Sequence, residues 1–379
     1  MMSAVNDRVT ALLAELVAMP TVSEAPNEAL VEVLCRHFES LGGSCRLERG
    51  AAGRSNLIAR LGPARPGGVM LCAHTDVVPA GDGWSTPPFE MVRIGERLHG
   101  RGTADMKGFI ATVIAALESV DPATLAAPVH FVGTYDEEIG CKGVRDVLPV
   151  LAAEPSIRPA LAVVGEPTMM RPRHSHLGKL GVQLTVRAAE AHSSRAATSP
   201  SAISYAASFV GVLDRIQATC PAGHGAPPFV VNCGTIRGGT QTNVIAGECH
   251  LAFEVRFDTE HDPEELLRPL HEAIAAAVPV LRTVGGGVEW QEVTRYPAMR
   301  TDAASPAFKA AERVADSGAS IDLGYGTEGG LFSETLGVPV MICGPGDIAD
   351  AHRPDEFVTV DQLDRSLRFI GGVVDHFCR

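Results

Sequence analysis

Val69-Met70-Leu71-Cys72-Ala73-His74-Thr75-Asp76-Val77-Val78-Pro79 is an unbroken apolar run of strand length that ends abruptly on polar side chains. An apolar run without alternation reads as a strand buried on both faces, the kind that fills a parallel sheet. The same form recurs outward from it, at residues 56–61, 129–135, 160–165 and 338–343. Helical spacing lies between these runs. Residues 106–120 and 144–151 read as helices, as do 307–315 and 363–377. Ahead of them, Val9, Leu12, Leu13, Leu16 and Val17 share one helix face. Leu30, Leu34, Phe38 and Leu41 share another, which starts near Pro26-Asn27 and is stopped by Gly42-Gly43. Alternating strands and helices imply an α/β layer around a largely parallel central sheet.

The middle of the chain has a different rhythm. Residues 181–188, 229–236, 248–257 and 288–293 read as strands, and 201–216 and 264–278 as helices. The order βαββαβ is that of a ferredoxin-like α+β unit. This unit, residues 180–294, is expected to be inserted into a catalytic domain made of residues 1–179 and 295–379. A chain of 379 residues is long enough for two such cores.

Composition excludes several classes. The formal net charge is -13, and no run of Lys and Arg offers the basic face a nucleic-acid partner requires. No apolar run approaches the length of a membrane span. The N-terminus lacks the basic and apolar regions of a signal peptide. Nine cysteines without a CxxC pair fit a reducing cytoplasm.

The chemistry sits in five places. His74 and Asp76 follow the run 69–73, Asp136-Glu137-Glu138 follows the run 129–135, and Glu166 follows the run 160–165. Asp105, in Gly100-Arg101-Gly102-Thr103-Ala104-Asp105-Met106-Lys107-Gly108, precedes a helix, and His352 follows the last buried run. In an open α/β sheet, sites form at the carboxyl ends of strands, so these side chains can converge on one edge. Taken singly, each has a plainer reading. Asp105 reads as a helix N-cap, Glu137-Glu138 as a solvated loop, and His352 as a loop histidine. Together, two imidazoles and several carboxylates at one edge repel one another unless a cation is bound. Such donors without thiolate suit zinc, cobalt or manganese.

The string His-Thr-Asp-x-Val-Pro, then Gly-Arg-Gly-x-x-Asp-Met-Lys-Gly, Asp-Glu-Glu, Gly-Glu-Pro and a late His resembles the zinc aminoacylase and deacylase superfamily of metallopeptidases. That superfamily includes acetylornithine deacetylases, succinyl-diaminopimelate desuccinylases and carboxypeptidases. The resemblance runs nearly the length of the chain. Glu-Glu-Ile-Gly-Cys-Lys-Gly and Gly-Pro-Gly-Asp-Ile-Ala-Asp-Ala-His-Arg-Pro-Asp-Glu look most like acetylornithine deacetylases.

The resemblance implies two divalent ions, zinc or cobalt, bridged by Asp105. His74 and Glu166 would complete one ion, and Glu138 and His352 the other. Glu137 would be the general base, and Asp76 would orient His74. The family often holds a cis peptide after the bridging aspartate. His192, in Ala191-His192-Ser193-Ser194, would reach a neighbouring subunit's site in a homodimer. Asn243 and Arg256 would bind the substrate carboxylate. Glu328, in the glycine-rich stretch from Gly324 to Gly330, would pair with a substrate amine. The implied activity is hydrolysis of the amide of a small N-acyl amino acid. Acetylornithine is the leading substrate, for arginine biosynthesis in the cytoplasm, and succinyl-diaminopimelate or another acyl amino acid or dipeptide is the alternative. Cys72-Ala73 and Thr240-Gln241 depart from the acetylornithine deacetylase pattern.

Overall fold

A computed structural model describes residues 2–221, 227–315 and 321–379. The chain separates into two compact units. The first comprises Met1–His176, Arg300–Leu323 and Thr327–Arg379; the second comprises Leu177–Met299 with Gly324–Gly326.

The first unit is built on a large mixed sheet. Its strands run in the order Ser44–Arg49, Ser55–Leu61, Val129–Thr134, Val69–His74, Leu161–Pro167, Val340–Gly344 and Arg173–His176. The four central strands, from Val129–Thr134 to Val340–Gly344, are mutually parallel, and the flanking pairs are antiparallel. The parallel strands are the unbroken apolar runs of the sequence, and every residue of them is buried. Side chains alternate across the sheet. Val69, Leu71, Ala73 and Phe131 join one core with the helices Met2–Val17, Glu28–Ser40, Lys107–Leu117, Pro306–Ala315 and Val360–Cys378. Helices Val144–Ala153 and Gly329–Leu336 pack together and against strands Ser55–Leu61 and Val340–Gly344.

Helix Lys107–Leu117 is buried along its whole length. It begins one residue later than the apolar pattern suggests, because Met106 has non-helical dihedrals; the Asp105–Met106 peptide is cis. Sequence patterning misses the polar edge strand Ser44–Arg49 and the short polar strand Arg173–His176. It also misses a small sheet in which Phe357–Thr359 pairs with Arg97–His99, itself paired with Val92–Ile94. That small sheet matters for the site, because it carries the end of the chain's last loop to the Gly100–Asp105 segment.

The second unit is a four-stranded antiparallel sheet in the order Phe229–Gly238, Glu248–Phe257, Gly178–Arg187, Gly287–Tyr296. Its helices, Ala202–Ala218 and Pro263–Arg282, give the βαββαβ sequence of a ferredoxin-like unit. Here alternation is clean. Leu180, Val182, Leu184 and Val186 face Leu251, Phe253 and Val255 in one core under the two helices. Helix Pro263–Arg282 starts where Asp262 accepts the Glu264 backbone N–H at 2.9 Å, with proline at the first helical position.

Candidate metal centre

The carboxyl ends of the parallel strands deliver the site. His74 is the last residue of Val69–His74, and Glu166 lies near the end of Leu161–Pro167. Glu137 and Glu138 follow Val129–Thr134 by one short turn, in which Asp136 takes a left-handed φ of 53°. His352 follows Val340–Gly344 in a loop, with φ 59°. Asp105 stands just before the buried helix.

These residues converge in two trios that share Asp105. The ligand atoms of His74, Asp105 and Glu166 lie within 4.8 Å of one another, as do those of Asp105, Glu138 and His352. His74 Nε2 is 2.9 Å from Asp105 Oδ1 and 3.9 Å from Glu166 Oε1. His352 Nε2 is 3.2 Å from Asp105 Oδ2 and 2.9 Å from Glu138 Oε2. Each oxygen of Asp105 therefore faces a different histidine, which is the arrangement a bridging carboxylate needs. The first trio is fully buried, whereas the His352 side chain is 47% exposed.

Charge in this space is unbalanced. Burial and the Asp105 and Glu137 carboxylates push Glu166 well above the ordinary carboxylate range, against the pull of His74. Burial, with Glu138, Glu328 and Asp76 adding repulsion, does the same to Glu137, and His74 again opposes. Burial and Asp105 push Glu138 up to about 7, opposed by His352 and His74. Hydrogen bonds to Asp105 and Glu138 raise His352 to about 10. His74 is raised as well: burial alone would lower it, but Asp105, Glu166 and Asp76 outweigh that. A set of carboxylates that must hold protons in order to coexist is one that divalent cations would relieve. The all-oxygen and imidazole donors fit zinc or a similar ion.

The surroundings hold each ligand in place. His74 Nδ1 bonds the backbone carbonyl of Asp76 at 2.9 Å, and the Asp76 carboxylate is farther, at 3.7 Å. That carboxylate also makes bonds beyond His74. It accepts the backbone N–H of Glu137 at 3.0 Å and of Glu138 at 3.3 Å, and the Ser23 hydroxyl at 2.7 Å. Asp76 thus ties the Glu137-Glu138 turn to the strand that carries His74.

Glu356 does the equivalent work for Asp105. Its Oε1 accepts backbone N–H groups from Gly102 and Ala104 at 3.0 Å and from Asp105 at 3.1 Å. Its Oε2 takes Arg101 at 2.6 Å, and both side chains are at most 2% exposed. Gly102, with φ +87°, leaves no room for a Cβ, which would lie 2.8 Å from Val77 Cγ1. Lys107 is fully buried and donates to the carbonyls of Leu16 and Met19, fastening the first helix to the same loop. Sequence reasoning missed Glu356 and Arg101. The signal was a buried-looking loop rich in backbone donors with no acceptor assigned to it.

Glu328 is 2% exposed. Its Oε2 accepts the Thr134 hydroxyl at 2.8 Å, and burial raises it to about 8. Its other carboxylate oxygen, Oε1, is buried without a hydrogen-bond partner. In the second unit, His192 and Asn243 come together. Strand Ala191–His192 pairs with Val244–Ile245, and the Ser193 N–H donates to the Asn243 carbonyl at 2.9 Å. Both residues are exposed. Arg256 is half-buried on strand Glu248–Phe257 and donates from Nε to Glu254 at 3.0 Å; Glu254 also pairs with Lys179.

Comparison with known proteins gives a consistent picture. Residues 70–376 match the model of peptidase family M20/M25/M40. Acetylornithine deacetylase of Photorhabdus laumondii is 30% identical over 97% of this chain and 96% of its own. That of Proteus mirabilis is 31% identical with the same coverage, and that of Klebsiella pneumoniae is 32% identical over 96% of each chain. Among solved structures, an M20 family metallo-carboxypeptidase from Sulfolobus solfataricus superposes with a TM-score of 0.80 at 16% identity, covering 97% of this chain and 98% of the other. A dinuclear metal-binding M20 peptidase of Bacillus subtilis superposes at 0.69 and 15% identity, covering 98% of each. The structural likenesses establish the fold.

Proposed function

Because the chain belongs to peptidase family M20/M25/M40, we propose that it hydrolyses the amide of N2-acetyl-L-ornithine, releasing L-ornithine and acetate. The observation that carries the hydrolytic reading is the pair of ligand trios joined through the two oxygens of Asp105, with Glu137 beside them and in neither. The substrate reading is supported by curated acetylornithine deacetylases about 30% identical over nearly the whole chain.

His74, Asp105 and Glu166 would hold one divalent ion, and Asp105, Glu138 and His352 the other. Bound there, such ions supply an acidified water and polarise the amide carbonyl. Glu137 is positioned by its own backbone N–H on Asp76. Its carboxylate takes the proton from the attacking water and passes it to the departing amine nitrogen. Burial raises this carboxyl well above the ordinary carboxylate range, the direction that suits a group that must both take and release a proton.

Motif resemblance supports His192, from a second copy of the chain, as donor to the carbonyl oxygen, and Asn243 and Arg256 as partners of the substrate carboxylate. The protein would then act as a cytoplasmic homodimer. Among the described residues no helix is long and apolar enough to cross a membrane. Mixing His192→Ala chains with Glu137→Gln chains would restore activity in hybrid dimers; hybrids that stay inactive would contradict the shared site.

The test of the substrate is a panel of acetylornithine, succinyl-diaminopimelate, acetylmethionine and a dipeptide, assayed after chelation and after re-addition of zinc or cobalt. The proposal predicts activity only with metal and a kcat/KM for acetylornithine at least about tenfold above the others, a difference of about 1.4 kcal/mol. A higher value for any other member of the panel would replace acetylornithine as the substrate.

A further inference from the structure

Apart from the metal centre, helix Glu28–Ser40 and strand Ser44–Arg49 bring together a different donor set. Cys35 and Glu39 are four residues apart on the helix and rise from one face. The chain then turns through Gly42, at φ +79°, and Gly43, and Cys45 enters the strand. Cys35 Sγ, a Glu39 carboxylate oxygen and Cys45 Sγ come within 4.8 Å of one another. Both cysteines are partly buried, and Glu39 is exposed. A tetrahedral zinc lies about 2.3 Å from sulfur and about 2.0–2.2 Å from carboxylate oxygen, which sets its ligand atoms roughly 3.5–3.8 Å apart. The cluster allows that spacing.

We propose that Cys35, Glu39 and Cys45 form a third metal site, for a thiophilic divalent cation of the zinc class. Two sulfurs select for softness where the catalytic set of imidazole and carboxylate does not. The three protein donors leave a fourth position for water. Binding converts both thiols to thiolates, so two protons leave to solvent for each ion taken up. Burial raises both thiols above their ordinary range, and Cys45 Sγ donates to the Cys35 backbone carbonyl at 3.7 Å. As free thiols they are therefore weak nucleophiles at neutral pH. Affinity for the ion rises with pH as the competing protons are removed. The site closes a short segment, Cys35 to Cys45, and would fasten the second helix to the edge strand.

Sulfur ligation gives the site its own readout, because none of the catalytic ligands carries sulfur. The reduced full-length protein is loaded with Co(II), and the thiolate-to-cobalt charge-transfer band and the metal content per chain are measured. The proposal expects a band in the wild type, its loss in Cys35→Ser/Cys45→Ser, and one fewer equivalent of metal in that variant with amide hydrolysis retained. If the double variant fails to fold, Glu39→Gln serves instead, with at least a tenfold weaker third equivalent expected. No band in the wild type, or a band and metal content unchanged by these substitutions, overturns the proposal. So does a Cys35–Cys45 disulfide that persists in protein purified with zinc present. The outcome is independent of whether the catalytic reading holds, since it reads sulfur and not turnover.

Discussion

The two halves of the candidate metal centre are built differently. His74 and Glu166 sit on strands inside the sheet, and their trio with Asp105 is wholly buried. Glu138 and His352 sit on loops, and His352 is 47% exposed. Strand-borne ligands are placed by packing that the fold makes regardless of any ion. Loop-borne ligands depend on local hydrogen bonds, chiefly those the Glu137-Glu138 turn donates to Asp76. The difference teaches that one ion should be held by the core and the other by a network. The two can then be loosened separately.

The largest expected effect isolates the base from both halves. Glu137→Gln should lower kcat by about 10²–10⁴-fold, the usual worth of a general base, while both metal equivalents remain by elemental analysis. Loss of metal in this variant would make Glu137 a ligand and dissolve the division into two trios.

Removing Glu356 strikes the shared ligand. Glu356→Ala leaves Arg101 as a buried, unpaired charge and frees three backbone donors around Asp105. Unfolding by urea should show a loss of about 3–5 kcal/mol, with both metal affinities weakened together. A variant that weakened only one ion would show that Asp105 does not serve both halves.

Asp76→Ala sharpens the comparison most. Metal affinity at the Glu138–His352 half should fall about 10–100-fold, the range for a lost supporting hydrogen bond. The buried half should change less, because His74 Nδ1 bonds the Asp76 backbone carbonyl, which the substitution keeps. Stepwise metal titration by calorimetry resolves the two. Equal weakening of both ions would erase the distinction between strand and loop.

The pH dependence of ion-free protein is a smaller effect. Burial raises Glu138 to about 7 in the fold, above its unfolded value of about 4.5. Hydrogen bonds raise His352 to about 10. Groups raised on folding contribute stability that is complete below their unfolded pKa and is lost as pH rises through the folded one. The Tm of chelated protein should therefore fall from pH 5 to pH 9 by several degrees, and added zinc should abolish the fall. A flat profile without metal would mean that the carboxylates are not crowded. The smallest effect lies in the second unit, where Arg187 pairs with Glu248 and Glu289 on the exposed sheet face. Arg187→Ala should leave the urea unfolding midpoint almost unchanged, because solvent screens an exposed pair.

Most of this architecture was legible in sequence because its signals are local. Unbroken apolar runs such as 69–73 identify buried parallel strands, and clean alternation such as Leu180, Val182, Leu184 and Val186 identifies a one-sided sheet. The site's members could be gathered because His74 and Glu166 lie at strand ends and Glu138 and His352 follow strands, where an open sheet gathers its site; their division into two sets came from the motif resemblance. Edge strands were not legible: Ser-Cys-Arg-Leu-Glu-Arg at 44–49 has too few apolar residues to announce a strand, and its pairing with 55–60 supplies what its composition lacks. The work of Glu356 was hidden because its acceptor role depends on a small sheet joining residues 97–99 and 357–359, distant in sequence. The burial of Glu328 was not legible either, because the glycines around it in Gly324 to Gly330 read as a flexible stretch. Burial under Thr134 follows only from the helix Gly329–Leu336, which those glycines begin.

The most direct test is a crystal structure of the protein grown with zinc, with ion positions taken from anomalous scattering. The account predicts two peaks about 3.5–4 Å apart, one contacting His74 and Glu166, the other Glu138 and His352, each bound by a different oxygen of Asp105. A single peak at that edge of the sheet, or two peaks that leave Asp105 unshared, would contradict it.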